Sequence, residues 1–185
     1  QQAEIVFFFW GRGESISNLN QTCRLVGIAQ KAYLKHCHEN GLSGDTPLRN
    51  SVLGKVPEHW GVFPLRDLGE FKNGINKDKS AFGRGKTLIN LENVFSSLPL
   101  SEQSDFGLVE ATKTEVDLYN LKRGDLLFVR SSVKPEGVGL TKAVSDDFPG
   151  VVFSGFIIRF RPHNENLDSD FLSLSLSLDQ ARYRL

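Results

Sequence analysis

Apolar and polar residues divide the chain into two textures. Ile16, Leu19, Cys23, Val26, Gln30, Tyr33 and Cys37 recur at alternating spacings of three and four. That is an a/d seam, and it predicts an amphipathic helix over the first forty or so residues. Gln30 is a polar break in the seam, and Gly11, Gly13 and Gly27 weaken the helix. The stripe suits an arm that pairs with another helix; the alternative is a helix packed on its own domain. Asn40-Gly41 is a C-cap pair, and Gly44, Asp45, Thr46 and Pro47 continue as a linker. Beyond it the pattern is mixed, with strands expected over 62–65, 87–91, 107–110, 126–130, 138–144 and 151–160. Thr112 and Glu115 have capping-box spacing, which predicts a short helix over 112–120. "FLSLSLSL", residues 171–178, alternates with period two like a strand, yet its leucines also form i,i+4 pairs. Both readings stay open on pattern alone.

Composition narrows the class. The 185 residues are 39% hydrophobic and 24% charged, a globular balance long enough for a substantial core. Twenty-two basic residues match 22 acidic ones, so any polyanion-binding face has to be local. No apolar run is long enough for a membrane helix, and "IVFFFW" is far too short to span. Cys23 and Cys37 lie fourteen residues apart on the expected helix, ~21 Å at a rise of ~1.5 Å per residue, too far for a disulfide. The pair suggests a reducing, cytoplasmic setting. The chain contains no methionine, which suggests a piece of a longer polypeptide.

"AFGRGKTLINL" contains Gly85-Lys86-Thr87, the end of a phosphate-binding P-loop. The motif's first glycine is replaced by Ser80, and the following residues read as a strand rather than a helix, so a nucleotide cradle is not expected. His36-Cys37-His38 lacks a second Cys/His pair to complete a zinc site. No G-x-S-x-G or G-x-G-x-x-G element is present. Glu70-Phe71-Lys72 resembles half of a nuclease carboxylate–lysine motif, but its near partner Asp67 is too close in sequence to help build a two-carboxylate metal site. What the chain offers is two polar, basic loops. The first, 72–86, carries Lys72, Asn73, Asn76, Lys77, Lys79, Arg84 and Lys86 against the single acid Asp78. The second carries Arg130, Ser131, Ser132 and Lys134 against Glu136. Lysine and arginine neutralise phosphates, asparagine pairs with an adenine edge, arginine with guanine, and serine suits either kind of contact. The alternative is a pair of ordinary solvated loops. A binding role needs both on one face.

In order and spacing, these elements resemble the specificity (S) subunits of type I restriction–modification systems. "VPEHWGVFPLRDLGEFKNGINKDKSAFGRGKTLINLENVF" is similar to the opening of their target recognition domain: Val-Pro-x-x-Trp, a Leu-x-Asp/Glu strand end, then an Asn-Gly loop. "YNLKRGDLLFVRSSVKPEGVGLTKAV" resembles the family's Leu-x-x-Gly-Asp-Leu/Ile-Leu-Phe-x-Arg-Ser element, and "VFSGFIIRFRP" the strand that follows. "QQAEIVFFFWGRGESI" and "KAYLKHCHENGL" resemble the start and end of the conserved spacer helix, departing from it at Phe9 to Gly13.

The resemblance implies a mixed α+β fold: a long amphipathic coiled-coil helix, then an α/β target recognition domain with a twisted, mainly antiparallel sheet. The corresponding division is spacer helix 1–41, linker 42–54, recognition domain 55–170 and the start of a second conserved helix at 171–185, the second half of an S subunit. It favours helix at the C-terminal segment. It also implies a non-catalytic reader of one half of a split site in double-stranded DNA. The seam Ile16, Leu19, Cys23, Val26, Tyr33 and Cys37 would meet a partner helix and help dock methyltransferase (M) subunits, with a restriction (R) subunit joining the complex. S-adenosylmethionine, ATP and Mg would reside on those partners, with no cofactor on this chain. The competing readings are a recognition fragment of a fused methyltransferase/endonuclease and a coiled-coil protein-interaction adaptor.

Overall fold

The computed structural model describes residues 32, 33, 36, 47–51, 54–58, 61–96, 98–132, 137–164 and 167–176. Ile16, Leu19, Cys23, Val26, Gln30 and Cys37 of the seam, Lys134 and residues 177–185 lie outside them. Ala32, Tyr33 and His36 are helical and exposed.

Two sheets carry the domain. The first is antiparallel, in the order β3 (Gly69–Asn73), β9 (Ile157–Pro162), β6 (Leu126–Val129), β7 (Thr141–Ala143). The second has β4 (Phe82–Ile89) between β5 (Gly107–Val109), which is antiparallel to it, and β8 (Val152–Phe153), which is parallel. A separate hairpin pairs β1 (Leu48–Ser51) with β2 (Gly54–Pro57). The mixed, mainly antiparallel α+β class expected from the resemblance holds for the described domain.

Strand β6 is buried along its whole length and shows why the sheets sit where they do. Successive strand residues face opposite ways. Leu127 and Val129 join Ile89, Leu121, Phe153 and Ile157 in the main core. Leu126 and Phe128 pack with Phe160 on the other face, under Leu65, Leu68, Leu172 and Leu176. A smaller cluster of Ile75, Leu88, Val109 and Val152 lies beneath Val116 and Tyr119.

Helix α3 (Lys113–Leu118) has the expected reciprocal cap: the Glu115 amide donates to Thr112 Oγ1 at 3.2 Å, and the Thr112 amide to Glu115 Oε2 at 2.8 Å. The C-terminal segment is helical from Ser169 to Leu176 (α4), with the Phe171 amide donating to Asp168 Oδ1 at 2.8 Å. Its i,i+4 leucines, not its period-two pattern, meet the sheet.

Several expected boundaries shift. The run at 62–65 does not form a strand. Pro64, with φ −62° and ψ 140°, instead precedes the helical turn α1 (Leu65–Leu68). The strand expected over 87–91 runs from Phe82 to Ile89, and Asn90 then caps a short helix α2 (Leu91–Phe95) through a reciprocal bond with Asn93. The run expected at 151–160 divides into β8 and β9, β3 was not anticipated, and β1 falls in the segment assigned to the linker.

Candidate nucleic-acid interface

The turn between β8 and β9 carries the chain from one sheet to the other. Its backbone is held from several sides. The Ile157 amide donates to the Ser154 carbonyl at 2.9 Å, and the Ser154 amide to Ile89 at 2.9 Å. From the first basic loop, the Ile75 amide donates to Phe153 at 2.8 Å, while the Gly155 amide returns a bond to Ile75 at 2.8 Å. From the second, the Arg130 amide donates to Phe156 at 2.9 Å, and Arg130 Nη1 approaches the Gly155 carbonyl at 3.4 Å. Gly74 fits there because any Cβ would lie 2.1 Å from the Ser154 carbonyl oxygen. Segment 73–76 and Arg130 therefore flank one turn, and Asn73, Asn76, Arg130 and Ser131 are all exposed around it.

The rest of the first loop is arranged differently. Lys72 and Asn73 belong to strand β3, and Lys72 Nζ sits 5.6 Å from the centre of the Tyr119 ring. Arg84 and Lys86 do not lie in a turn between strands; they sit within β4. Phe82 and Lys86 both pair with Val109, so the chain bulges out between them. Gly83 and Gly85 have φ of 90° and 100°, and a Cβ on Gly85 would come 2.6 Å from the Val109 carbonyl oxygen. The Gly-Arg-Gly that mimics a P-loop is thus a β-bulge presenting Arg84. Arg84 Nε bonds Glu110 Oε1 at 2.7 Å, and this contact holds the Glu110 carboxyl below its ordinary range. Lys77 Nζ lies 2.5 Å from Glu115 Oε1. That bond, with the Thr112 amide, pulls the Glu115 pKa down to about 2. Lys79 and Lys86 are exposed, with no ion pair among the described residues. From Lys86, which closes the bulge, to the Ile89 end of β4 is three residues, ~10 Å by strand rise, so the basic residues of the first loop fall into two separate places.

Ser132 is partly buried, and a Cβ on Gly137 would come 2.5 Å from its Oγ.

Leu121-x-x-Gly124-Asp125 is the turn that leads into β6, and Arg130 follows the far end of that strand. Gly124 has φ of 89°. Asp125 is 1% exposed and accepts both arms of Arg161, from Nε at 2.7 Å and Nη2 at 2.7 Å, as well as the Lys122 amide at 2.8 Å. Arg161 Nη2 also reaches Asn120 Oδ1 at 2.9 Å. Arg159 is buried beside it and donates from Nη1 to the Asn120 carbonyl at 2.5 Å; burial first, then the Arg161 charge, lowers its pKa. This ionic cluster closes one end of β6 and β9, and the 154–157 turn forms the other. A cleft of about 760 Å³ opens on the ionic end, lined among others by Lys122, Asp125, Arg161, His163 and Asp168. Among the described residues no group of three or more His, Cys, Asp or Glu is placed to hold a metal ion. No helix there is long and apolar enough to cross a membrane.

Phe156, at the tip of the turn, was missed by sequence reasoning. It is 58% exposed between Phe153 and Ile157, each at 0%. The one available signal was Ser154-Gly155 interrupting an apolar run.

The described fold is a mixed, mainly antiparallel α+β domain of two β-sheets joined by an exposed turn. No family model matches the chain. A specificity subunit of the type I restriction enzyme MjaVIII from Methanocaldococcus jannaschii is 24% identical over 161 residues, covering 85% of this chain and 37% of the relative. An HsdS subunit from Thermoanaerobacter tengcongensis superposes with a TM-score of 0.53 at 16% identity, over 90% of this chain and 38% of that one. A chain from a structural study of type I R-M system assembly and conformational transition gives 0.52 at 17% identity, over 91% and 39%. The chain therefore spans well under half the length of these relatives. In sequence the chain is similar to a type I restriction enzyme specificity subunit, and in fold to an HsdS subunit.

Proposed function

We propose that residues 55–170 form a target recognition domain that holds one half of a bipartite site in duplex DNA. The observation that carries this reading is the convergence of segment 73–76 from the first loop and Arg130 from the second on the Ser154–Phe156 turn, with Asn73, Asn76 and Arg130 exposed. Amide and guanidinium side chains on a rigid backbone suit base edges, and Lys79 and Lys86 suit phosphates. The domain reads and does not catalyse. Residues 1–41 act as the spacer helix that docks methyltransferase subunits, residues 171–185 begin a second such helix, and this reading places the chain as the second half of an S subunit. S-adenosylmethionine stays with the methyltransferase subunits, ATP and Mg with the restriction subunit, and the assembly works in the cytoplasm.

The test is the salt dependence of duplex binding by the protein with its methyltransferase subunits. Lys86→Ala is expected to weaken binding to all sequences and reduce the log–log salt slope by about one. Lys77→Ala is expected to change the slope less, because Glu115 already neutralises that ammonium group. An unchanged slope in Lys86→Ala removes the phosphate role of Lys86. Absence of any sequence-selective binding by the wild-type complex removes the recognition reading itself.

A further inference from the structure

Phe156 stands out because everything around it is constrained while its ring is not covered. The turn is fixed by backbone hydrogen bonds from Ile75, Ile89 and Arg130, and the residues on either side in sequence, Gly155 excepted, are buried. A Cβ on Gly155 would stand 3.1 Å from the Ile75 carbonyl oxygen and 3.6 Å from Asn76 Cβ, so the first loop lies close against the turn. Arg130 closes the other side. An aromatic ring with two rotatable bonds on a rigid backbone loses little entropy when it is contacted. Among the described phenylalanines only Phe63 is more exposed, and Phe156, at 58%, stands on a turn whose neighbouring backbone is bonded by Ile75 and Arg130.

Resting on the recognition reading above, we propose that Phe156 is a specificity-determining residue whose ring lies against the C5-methyl group of a thymine in the major groove. The flanking groups select that groove. Arginine and asparagine pair bidentately with the major-groove edges of guanine and adenine, and an apolar side chain between them has the thymine methyl as its natural partner. The minor groove offers a degenerate pattern, in which an exposed phenylalanine would instead act as a wedge that kinks the duplex. The fixed turn thereby presents three adjacent readers: an amide, a ring and a guanidinium.

The experiment uses the protein co-purified with its methyltransferase subunits and a pool of duplexes with randomised positions, the bound fraction being sequenced. The best-selected duplex is then rebuilt with deoxyuridine in place of each thymidine in turn. For wild type, one such replacement is expected to weaken binding about fourfold, the worth of one buried methyl-sized group. Phe156→Ala should lose the thymine preference at that same position, ignore the replacement there, and keep its preferences elsewhere. Phe156→Leu should retain part of it. Because the ring is exposed, neither substitution removes core packing.

A wild-type complex that selects a sequence, joined to a Phe156→Ala profile identical to it, overturns the proposal and leaves the recognition reading standing. So does an absence of any effect of deoxyuridine on wild type. Uniform weakening in Phe156→Ala with loss of duplex bending assigns a wedge and also overturns it. A wild-type complex with no sequence selection overturns both.

Discussion

Removing Arg161 should destabilise the domain more than neutralising its partner Asp125. In Arg161→Met the Asp125 carboxylate, 1% exposed, keeps only the Lys122 amide as an observed donor. The buried Arg159 guanidinium nearby still offsets part of that charge, so the loss should fall at the low end of the about 3–5 kcal/mol that an uncompensated buried charge costs. In Asp125→Asn the guanidinium has other recourse, since it still reaches Asn120 Oδ1 at 2.9 Å and its side chain is 28% exposed. The loss there is that of charge-assisted hydrogen bonds, about 1.5–3 kcal/mol. The double variant removes both charges together, so its cost should fall below the sum of the singles by roughly 1–3 kcal/mol. Urea unfolding followed by circular dichroism gives all three values, with an unchanged m-value as the check that only native stability has moved. A loss under about 1 kcal/mol for Arg161→Met, or strict additivity in the double variant, would refute the view that this pair closes the end of β6.

Two further outcomes test the loop chemistry. The Glu115 carboxyl is held at a pKa of about 2 by Lys77 and by the Thr112 amide. Its folded value is depressed, so the stabilisation it gives is complete above its ordinary value of 4.5 and is lost as pH falls from there through about 2. Carbon-detected NMR titration should show the Glu115 pKa rising towards 4.5 in Lys77→Ala, while the remaining Thr112 bond keeps it somewhat low. Separately, Gly85→Ala forces a Cβ into a φ of 100° and to within 2.6 Å of the Val109 carbonyl oxygen, so the thermal midpoint should drop by several degrees. Gly83→Ala meets no atoms within 4 Å and should cost only the backbone strain at φ 90°.

How far the sequence disclosed this architecture depended on whether the signal was local. "LLFV" was legible as a strand because it is buried on both faces, and the Thr112–Glu115 cap because both partners are three residues apart. "GEFKN" was not legible: β3 lies at the edge of its sheet and buries little, so it carries no apolar alternation. "FLSLSLSL" had two valid periodicities, and tertiary packing of Leu172 and Leu176 on Phe160 and its neighbours decided between them. The basic residues of the first loop were legible as a group but not as two places, because the carboxylates of Glu110 and Glu115 that claim Arg84 and Lys77 come from a later part of the chain. Convergence on the 154–156 turn is likewise a product of strand order.

The bulge in β4 has a consequence for how such a domain can diversify. Phe82 and Lys86 oppose the same residue, Val109, and Thr87 then opposes Leu108, so residues 83–86 add nothing to the ladder count. A change of length there leaves Leu88 and Ile89 in register with the neighbouring strands. Apart from Gly85, whose Cβ would meet the Val109 carbonyl oxygen, the segment is a socket: its contents can be exchanged or shortened while the core keeps its seating. It is a natural place for inheritance, or a protein engineer, to vary what the surface presents without rebuilding the domain beneath.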